Sequence, residues 1–263
     1  MPELDPRRAL SFGARAEEYE RWRPSYPAAA VAWLVPPGAV RVADVGAGTG
    51  KLTGPLLALG LEVAAVEPDP AMLAVLRREH PAAVPYLAGA DALPIPDASV
   101  DAVLAGQAWH WFPPERAVAE VRRVLRPGGW LGLIWNGPDP RDVWEYDLAR
   151  LDPDTAGRDF PADPVGDPFE VDGLPPDELE WAVFPWVREI DGPTLAGRLR
   201  THSAFAVLPP AERERLIDAM VAVVNAEVER RGTPTVPLRQ RAHCARWRPT
   251  RPDRPGSGPP GPA

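Results

Sequence analysis

Lysine and cysteine are almost absent from this chain of 263 residues. Lys51 is the only lysine among 29 basic residues, and Cys244 is the only cysteine. A single cysteine excludes an intramolecular disulfide and fits a reducing compartment. The surplus of arginine over lysine, together with 36 prolines, is typical of a coding bias, and we attach no function to it.

Long hydrophobic runs and an excess of positive charge are also missing. No stretch of 18 apolar residues occurs, so we expect no membrane-spanning segment. The first ten residues lack the apolar core of a secretory signal. The net charge is −8, whereas sequence-independent binding of nucleic acid needs a basic surface that neutralises phosphates. We therefore expect a cytoplasmic protein with no membrane or nucleic-acid partner.

Apolar runs of strand length alternate with amphipathic stretches of helical period between residues 41 and 136. This alternation is typical of a mostly parallel sheet that is covered by helices on both faces. Ligands bind such sheets at the carboxyl ends of the strands. The predicted strands are 41–45, 61–67, 84–89, 100–106 and 130–136, and the predicted helices between them are 51–60, 68–80 and 114–129.

The segments that flank this region are less regular. Pro185 lies within one apolar run and favours a sheet edge or a bulge there. Residues 249–263 have nothing apolar to bury and are expected to be disordered. The remaining predictions are helices at 12–23, 28–34, 141–150 and 210–232, and strands at 178–190 and 235–248.

A glycine-rich segment, D-V-G-A-G-T-G at residues 44–50, follows the first predicted strand. Glycine lets the backbone turn sharply and approach a ligand closely. The dinucleotide fingerprint G-x-G-x-x-G fails because Lys51 stands in place of its third glycine, and a phosphate-binding P-loop fails at Val45 and Leu52. The pattern that remains, D-x-G-x-G-x-G, resembles motif I of the class I S-adenosylmethionine-dependent methyltransferases.

Further motifs follow in the order that this family shows. Glu67 ends the second predicted strand, and Gly89-Ala90-Asp91-Ala92 resembles motif II. The runs LPIPDASVD at 93–101 and LRPGGWLG at 125–132 are also similar to the family. The run Q-A-W-H-W-F at 107–112 resembles the methyltransferase-11-like subgroup. The chain is thus identified as a member of that subgroup, with a resemblance that is good over residues 12–136 and looser to about 248.

The resemblance implies an α/β fold of the Rossmann-like class I methyltransferase type. Its sheet would have seven mostly parallel strands with helices on both faces and an N-terminal helical lid. Residues 1–38 would form the lid helices. Residues 39–248 would form the methyltransferase domain, with a cofactor half at 39–136 and a substrate-side half at 137–248, and the disordered tail would be 249–263.

The resemblance also assigns residues to S-adenosylmethionine. The glycine loop would pass under the methionine part of the cofactor, and Asp44 would act on its ammonium group directly or through water, since a carboxylate suits a cation. Glu67 would accept the ribose hydroxyls, and Asp91 would bind the adenine amino group. The implied cofactor-binding residues are Asp44, Gly46, Ala47, Gly48, Gly50, Glu67, Pro68, Asp91, Ala92, Gln107 and Arg23.

The acceptor would lie at the methyl end of the cofactor, beside residues 107–112. His110 is the candidate catalytic residue, as a general base, and its alternatives are a simple hydrogen-bonding role or a packed side chain. Arg23 belongs to a run from Phe12 to Pro27 that resembles the lid of the subgroup, where it could bind a carboxylate of the cofactor or of the acceptor. The candidate pocket residues are Tyr19, Trp109 and Trp111.

These assignments predict an enzyme that transfers a methyl group from S-adenosylmethionine to a small molecule, at oxygen, because no residue pair demands carbon chemistry. No metal is expected. Two alternatives stay open. One is a non-catalytic protein that only binds the cofactor, and the other is an NAD-dependent oxidoreductase.

Overall fold

A computed structural model of the protein describes residues 13–160 and 171–249. Phe12, at the start of the predicted lid run, lies outside these ranges, as do residues 250–263 of the predicted tail. Among the helices of the described residues, none combines the length and the apolar character that a bilayer crossing demands. In the same part of the chain, no three histidine, cysteine or carboxylate side chains come together as a metal site would require.

One sheet of seven strands organises the molecule. The strands are β1 (Arg41–Val45), β2 (Glu62–Glu67), β3 (Val84–Leu87), β4 (Val100–Gly106), β5 (Leu125–Pro138), β6 (Leu179–Ile190) and β7 (Val236–Trp247). Their order is β3-β2-β1-β4-β5-β7-β6. Strands β1 to β5 pair in parallel, and β7 is antiparallel to both β5 and β6. The predicted seven-stranded, mostly parallel sheet is confirmed, and its strand order reverses between β1 and β4, where such sheets open a ligand crevice.

Nine α-helices accompany the strands in the described residues. They are α1 (Ala16–Trp22), α2 (Ala28–Leu34), α3 (Thr53–Ala58), α4 (Pro70–Glu79), α5 (Pro114–Val124), α6 (Val143–Leu151), α7 (Gly192–Arg200), α8 (Ser203–Ala206) and α9 (Pro210–Arg231). Short 3-10 turns occur at Gly13–Arg15, Trp109–Trp111 and Pro176–Glu178. Asp69 begins α4 as predicted, because its side chain accepts hydrogen bonds from the first free N–H groups of the helix.

The central strands are buried on both faces. In β4, Val103 packs into the core layer that contains α5, whereas its neighbour Leu104 packs into the layer that contains α2 and α3. This explains why β4 is almost wholly apolar, since a parallel strand that is covered on both sides has no solvent face. A third apolar cluster, centred on Phe205 and Ile217, joins α6 to α9 beyond the end of β6.

The boundary between α5 and β5 differs from the prediction. The helix predicted at 114–129 ends at Val124, and β5 starts at Leu125 rather than at residue 130. Leu125 pairs with Val100 and Trp130 pairs with Ala102, so residues 126–129 form a bulge within the strand. Gly128 permits this bulge because it adopts a φ of +85°, which other residues avoid.

The second half of the chain contains elements that the sequence did not indicate. Helices α7 and α8 were not predicted, because α7 contains two glycines and a proline. Asp191 begins α7 by accepting a hydrogen bond from the backbone of Thr194. The predicted edge position of the strand with Pro185 is confirmed, since β6 is the outermost strand of the sheet. The predicted last strand is confirmed as β7.

Candidate cofactor and acceptor site

The glycine loop between β1 and α3 turns at the carboxyl edge of the sheet. Gly46, Gly48 and Gly50 adopt φ values of +68°, +58° and +98°. The backbone N–H groups of Gly46 and Ala47 both donate to the carbonyl of Val66, at 2.9 and 3.1 Å. The loop is therefore tied to the end of β2, and its positive φ angles require residues without a Cβ.

Asp44 is the buried carboxylate of the loop. Its Oδ2 accepts a hydrogen bond of 2.6 Å from Oγ1 of Thr53, and Oδ1 is buried without a hydrogen-bond partner among the described residues. Burial, with a smaller contribution from the charge of Glu67, raises the pKa of Asp44 to about 7, and the hydroxyl and backbone N–H of Thr53 only partly oppose this. A buried carboxylate oxygen without a hydrogen-bond partner raises the free energy of the folded state. A cationic ammonium group bound there would supply the missing partner.

Glu67 closes the other side of the loop. Its Oε2 accepts from the backbone N–H of Gly48 at 2.8 Å, and Oε1 accepts from Asp69 at 3.0 Å. Burial raises the pKa of Glu67, and these two hydrogen bonds lower it in part. Each carboxylate oxygen has a second lone pair, so Glu67 can still accept a ribose hydroxyl while it holds the loop. Pro68 directs the chain from Glu67 into the cap of α4.

Asp91 and Ala92 follow β3 beside the start of α5. Oδ2 of Asp91 forms an ion pair of 3.3 Å with Arg116, whose side chain is 70% exposed. The backbone N–H of Ala92 points to the carbonyl of Gly89 at 3.4 Å, and the Ala92 side chain is exposed. The pair therefore stands at the edge of the crevice, where the weak surface contact of Asp91 would not prevent it from accepting an adenine amino group.

Gln107, at the end of β4, has a strained backbone. It is one of two non-glycine residues in the described chain with a positive φ, at +57°. Its backbone N–H donates to Ile134 at 2.9 Å, and its Nε2 donates to the carbonyl of Asn136 at 3.0 Å. Such strain concentrates at functional sites, because the surrounding structure must hold it in place.

The aromatic residues after Gln107 do not share one environment. Trp109 is 3% exposed, donates from Nε1 to the carbonyl of Asp172 at 3.0 Å and packs edge-on against Phe112. The 3-10 turn after β4 directs this ring into the core, and its predicted place in a pocket wall stays a prediction. His110 and Trp111 are half-buried neighbours with ring centroids 4.8 Å apart, and their roles stay predictions.

The segment around α1 brings Tyr19 and Arg23 to the same region. Tyr19 packs against Ala16 of α1 and Met72 of α4, and Met72 itself approaches the glycine loop. Burial raises the pKa of the Tyr19 hydroxyl, and the charge of Glu67 adds to this effect. Arg23 lies 5.3 Å from the centre of the Tyr19 ring and donates to the carbonyl of Thr201 at 3.1 Å.

Lys51 joins α1 to the glycine loop, a contact that the sequence did not reveal. Its ammonium group lies 2.6 Å from Oε1 of Glu20, and both side chains are about one-fifth exposed. Ser25 donates to the carbonyl of Lys51 at 2.8 Å. A second pair, between Arg78 and Glu17, holds α1 to α4 at the surface, with side chains 53% and 69% exposed.

These two ion pairs should differ in strength. We expect Lys51→Met to lower the free energy of unfolding by about 1–3 kcal/mol, because it leaves a partly buried Glu20 carboxylate without its partner. The control Arg78→Met removes two solvent-exposed pairs, with Glu17 and Glu79, and should cost at most about 1 kcal/mol. Urea denaturation of both variants measures the difference. A larger loss for Arg78→Met would contradict the structural role of Lys51.

Known proteins match both the sequence and the fold. A family model described as a methyltransferase domain, Methyltransf_11, matches residues 43–133. An uncharacterized methyltransferase of Mycobacterium tuberculosis is 54% identical over 159 residues, which are 60% of this chain and 63% of that relative. An uncharacterized methyltransferase-like protein of Schizosaccharomyces pombe is 32% identical over 217 residues, covering 78% of this chain and 82% of the relative.

A solved structure extends the match over most of the fold. The structure, described as a type II methyltransferase from Anaeromyxobacter dehalogenans, has a TM-score of 0.64 and 32% identity, and the match covers 86% of this chain and 96% of that one. The strand order and the glycine loop define a Rossmann-like α/β protein of the class I methyltransferase fold. The chain belongs to the S-adenosylmethionine-dependent methyltransferases, in the methyltransferase-11-like group.

S-adenosylmethionine is the cofactor of this family of enzymes. The residues of the site fit it, because the buried, unpaired Oδ1 of Asp44 suits its ammonium group. Glu67 has free lone pairs that can accept hydrogen bonds from ribose hydroxyls. It lies beside the glycine loop, where a Cβ would obstruct the close approach of other groups to the backbone. A Cβ on Gly46, for example, would lie 2.6 Å from the Cβ of Ala108.

Proposed function

We propose that this protein transfers the methyl group of S-adenosylmethionine to an oxygen atom of a small molecule. The observation that carries the proposal is the buried and unpaired Oδ1 of Asp44 beside the glycine loop. In this proposal Asp44 binds the ammonium group, Glu67 the ribose and Asp91 with Ala92 the adenine. Gln107 stands near the methionine part, and α1 and α2 act as a lid.

The side chains at the methyl end support an oxygen acceptor. Residues 107–112 contain one titratable group, His110, and no carboxylate. Methylation at carbon commonly requires removal of a proton from that carbon, whereas an ionised oxygen needs no base. His110 would be required only for an un-ionised hydroxyl.

The proposed step leaves little acid–base work for the protein. When bound, S-adenosylmethionine supplies a methyl group on a positively charged sulfur atom. With a carboxylate acceptor, the residues of the site would hold one carboxylate oxygen in line with this methyl group and its sulfur, and no side chain would have to accept a proton. The products are a methyl ester and S-adenosylhomocysteine, and no proton moves. The residues of the site align the two reactants and exclude water.

The electrostatics of the loop disfavour the oxidoreductase alternative. NAD carries a pyrophosphate that would sit on the glycine loop. Here the buried carboxyl group of Asp44 lies beside the loop. In its ionised form it would repel negative phosphates and attract a cationic ammonium group.

Calorimetric titration and product detection test this function. We expect saturable binding of S-adenosylhomocysteine, and formation of S-adenosylhomocysteine from S-adenosylmethionine when a panel of carboxylic acids and alcohols is added. Absence of binding to folded wild-type protein would overturn the proposal. Binding without turnover for every acceptor would favour the non-catalytic alternative, and a nicotinamide absorbance change with an alcohol would favour the oxidoreductase.

A further inference from the structure

Arginines from distant parts of the chain come close to one another near the candidate site. Arg23 donates to the carbonyl of Thr201, directly after α7, and its charge acts on Arg188 and Arg198. Arg23 follows α1, Arg188 lies near the end of β6, and Arg198 lies on α7. β6 runs in the same direction as β5, because both are antiparallel to β7. Arg188 is therefore at the same carboxyl edge of the sheet as the glycine loop.

Two of these arginines have buried N–H groups that lack a hydrogen-bond acceptor among the described residues. Nη1 of Arg188 and Nε of Arg23 are buried without a hydrogen-bond partner among the described residues. Arg198 is half-buried and lines, with Asp152 and Glu145, a small cavity of about 40 Å³ that is partly open to solvent, whereas Arg23 and Arg188 lie outside its lining. Buried donors of this kind are rare in folded proteins, and an ordered water, an ion or a ligand can complete them.

The charges of the cluster are not balanced. Burial, and then the neighbouring charges of Arg188 and Arg23, lower the pKa of Arg198 to about 10, and Asp152 alone opposes this. Burial and Arg23 likewise lower the pKa of Arg188. Among the described residues, three guanidinium groups thus outnumber the carboxylates of Asp152 and its neighbour Asp154, and a further negative group would relieve the repulsion between the arginines.

The cluster lies at a suitable distance from the cofactor residues. β6 is separated from β4 by β5 and β7, so three strand spacings of about 4.8 Å place it roughly 14 Å away. Arg23 spans part of this gap, because it stacks on Tyr19, which in turn packs near the glycine loop. A small molecule held at the cluster could extend across this distance toward the methyl end.

We propose that Arg23, Arg188 and Arg198 bind a negatively charged oxygen group of the acceptor, a carboxylate or a phosphate, as an anchor. This inference rests on the proposed function and narrows its acceptor to small acids. The anchored group is not the one that is methylated, because guanidinium groups that engage its oxygen lone pairs make it a poor nucleophile. The acceptor therefore carries at least one anionic group besides the oxygen that receives the methyl group.

Thermal unfolding in the presence of anions tests the cluster without turnover. The probes are succinate, citrate and inorganic phosphate, with succinamide as the neutral control and sodium chloride to hold the ionic strength constant. We expect at least one anion to raise the Tm of the wild-type protein saturably by about 3–6 °C. A response to the carboxylic acids identifies a carboxylate site, and a response to phosphate alone identifies a phosphate site. No response to any anion, from protein that binds S-adenosylhomocysteine, would overturn the inference and leave the proposed function intact.

Three variants complete the test. Arg188→Gln should raise the Tm without anions, because it removes a repelling charge and a buried unpaired donor, and it should abolish the anion response. Arg198→Gln serves in its place if the first variant does not fold. Arg150→Gln is the control, since Arg150 is 73% exposed and pairs with Asp147. Binding of S-adenosylhomocysteine should be unchanged in Arg188→Gln. An anion response that survives in both cluster variants would contradict the assignment.

Discussion

Replacing Gly46 by alanine is expected to weaken binding of S-adenosylhomocysteine at least tenfold. The new Cβ would lie 2.6 Å from the Cβ of Ala108 and 3.0 Å from the ring of Phe112. Because Ala108 directly follows Gln107, the clash would push the glycine loop away from the segment that holds the methyl end. The left-handed backbone adds about 1–2 kcal/mol of strain for any residue with a Cβ.

Gly60 provides a matched control for this experiment. It also has a left-handed backbone, with a φ of +80°, but a Cβ there would meet no atom within 4 Å. Gly60→Ala should therefore lose stability from backbone strain and keep its affinity. Urea denaturation separates the two contributions, and calorimetry reports the affinity. Equal affinities of the two variants would show that the loop does not contact the cofactor as proposed.

Binding of S-adenosylhomocysteine should strengthen as the pH rises from 6 to 8. Burial raises the pKa of Asp44 from 3.8 to about 7, so the carboxyl group is largely protonated below pH 7 in the free protein. The ammonium group of the ligand favours the ionised form. Binding at low pH must therefore release a proton, and the affinity should fall by up to about tenfold per pH unit below the pKa.

The same carboxyl group should affect folding in the opposite direction. Because its pKa is higher in the folded protein than in the unfolded chain, the folded state holds more protons between pH 3.8 and about 7. The contribution of Asp44 to stability is then present at low pH and is lost as the pH rises through this range. Binding and stability of the free protein thus respond to pH with opposite signs.

Asp44→Asn separates this effect from other titrating groups. The amide cannot ionise, so the variant should bind weakly at pH 8 and lose most of the pH dependence. Glu67 is the other buried carboxyl group of the loop with a raised pKa, and it would still titrate in this variant. A wild-type affinity that does not change between pH 6 and 8, or an asparagine variant that keeps the full change, would contradict the role of Asp44.

The sequence predicts the cofactor half of the fold well because its signals are local. The five apolar strands and the glycine loop lie within about 100 consecutive residues, and Asp44 and Glu67 stand at the ends of predicted strands. The N-cap of α4 at Asp69 is equally local. A strand end that is buried on both faces can be recognised without knowledge of its neighbours.

The substrate-side half could not be predicted in the same way. Arg188 and Arg198 belong to the proposed anion site because they lie near Arg23, which is more than 160 residues earlier in the chain. No local sequence pattern indicates this proximity. Helix α7 was hidden by its glycines and proline. The burial of Trp109 depends on the direction of the turn after β4, which the residue types alone do not set.

The contact of Lys51 with Glu20 has a practical consequence for chemical labelling. A reagent that acylates amines has a single side-chain target in the chain, and that target is four-fifths shielded while α1 rests on the glycine loop. The rate at which Lys51 is acylated would therefore measure how often α1 moves away from the glycine loop. Because Lys51 is the only lysine of the chain, acylation of this one side chain would report opening of the cofactor crevice.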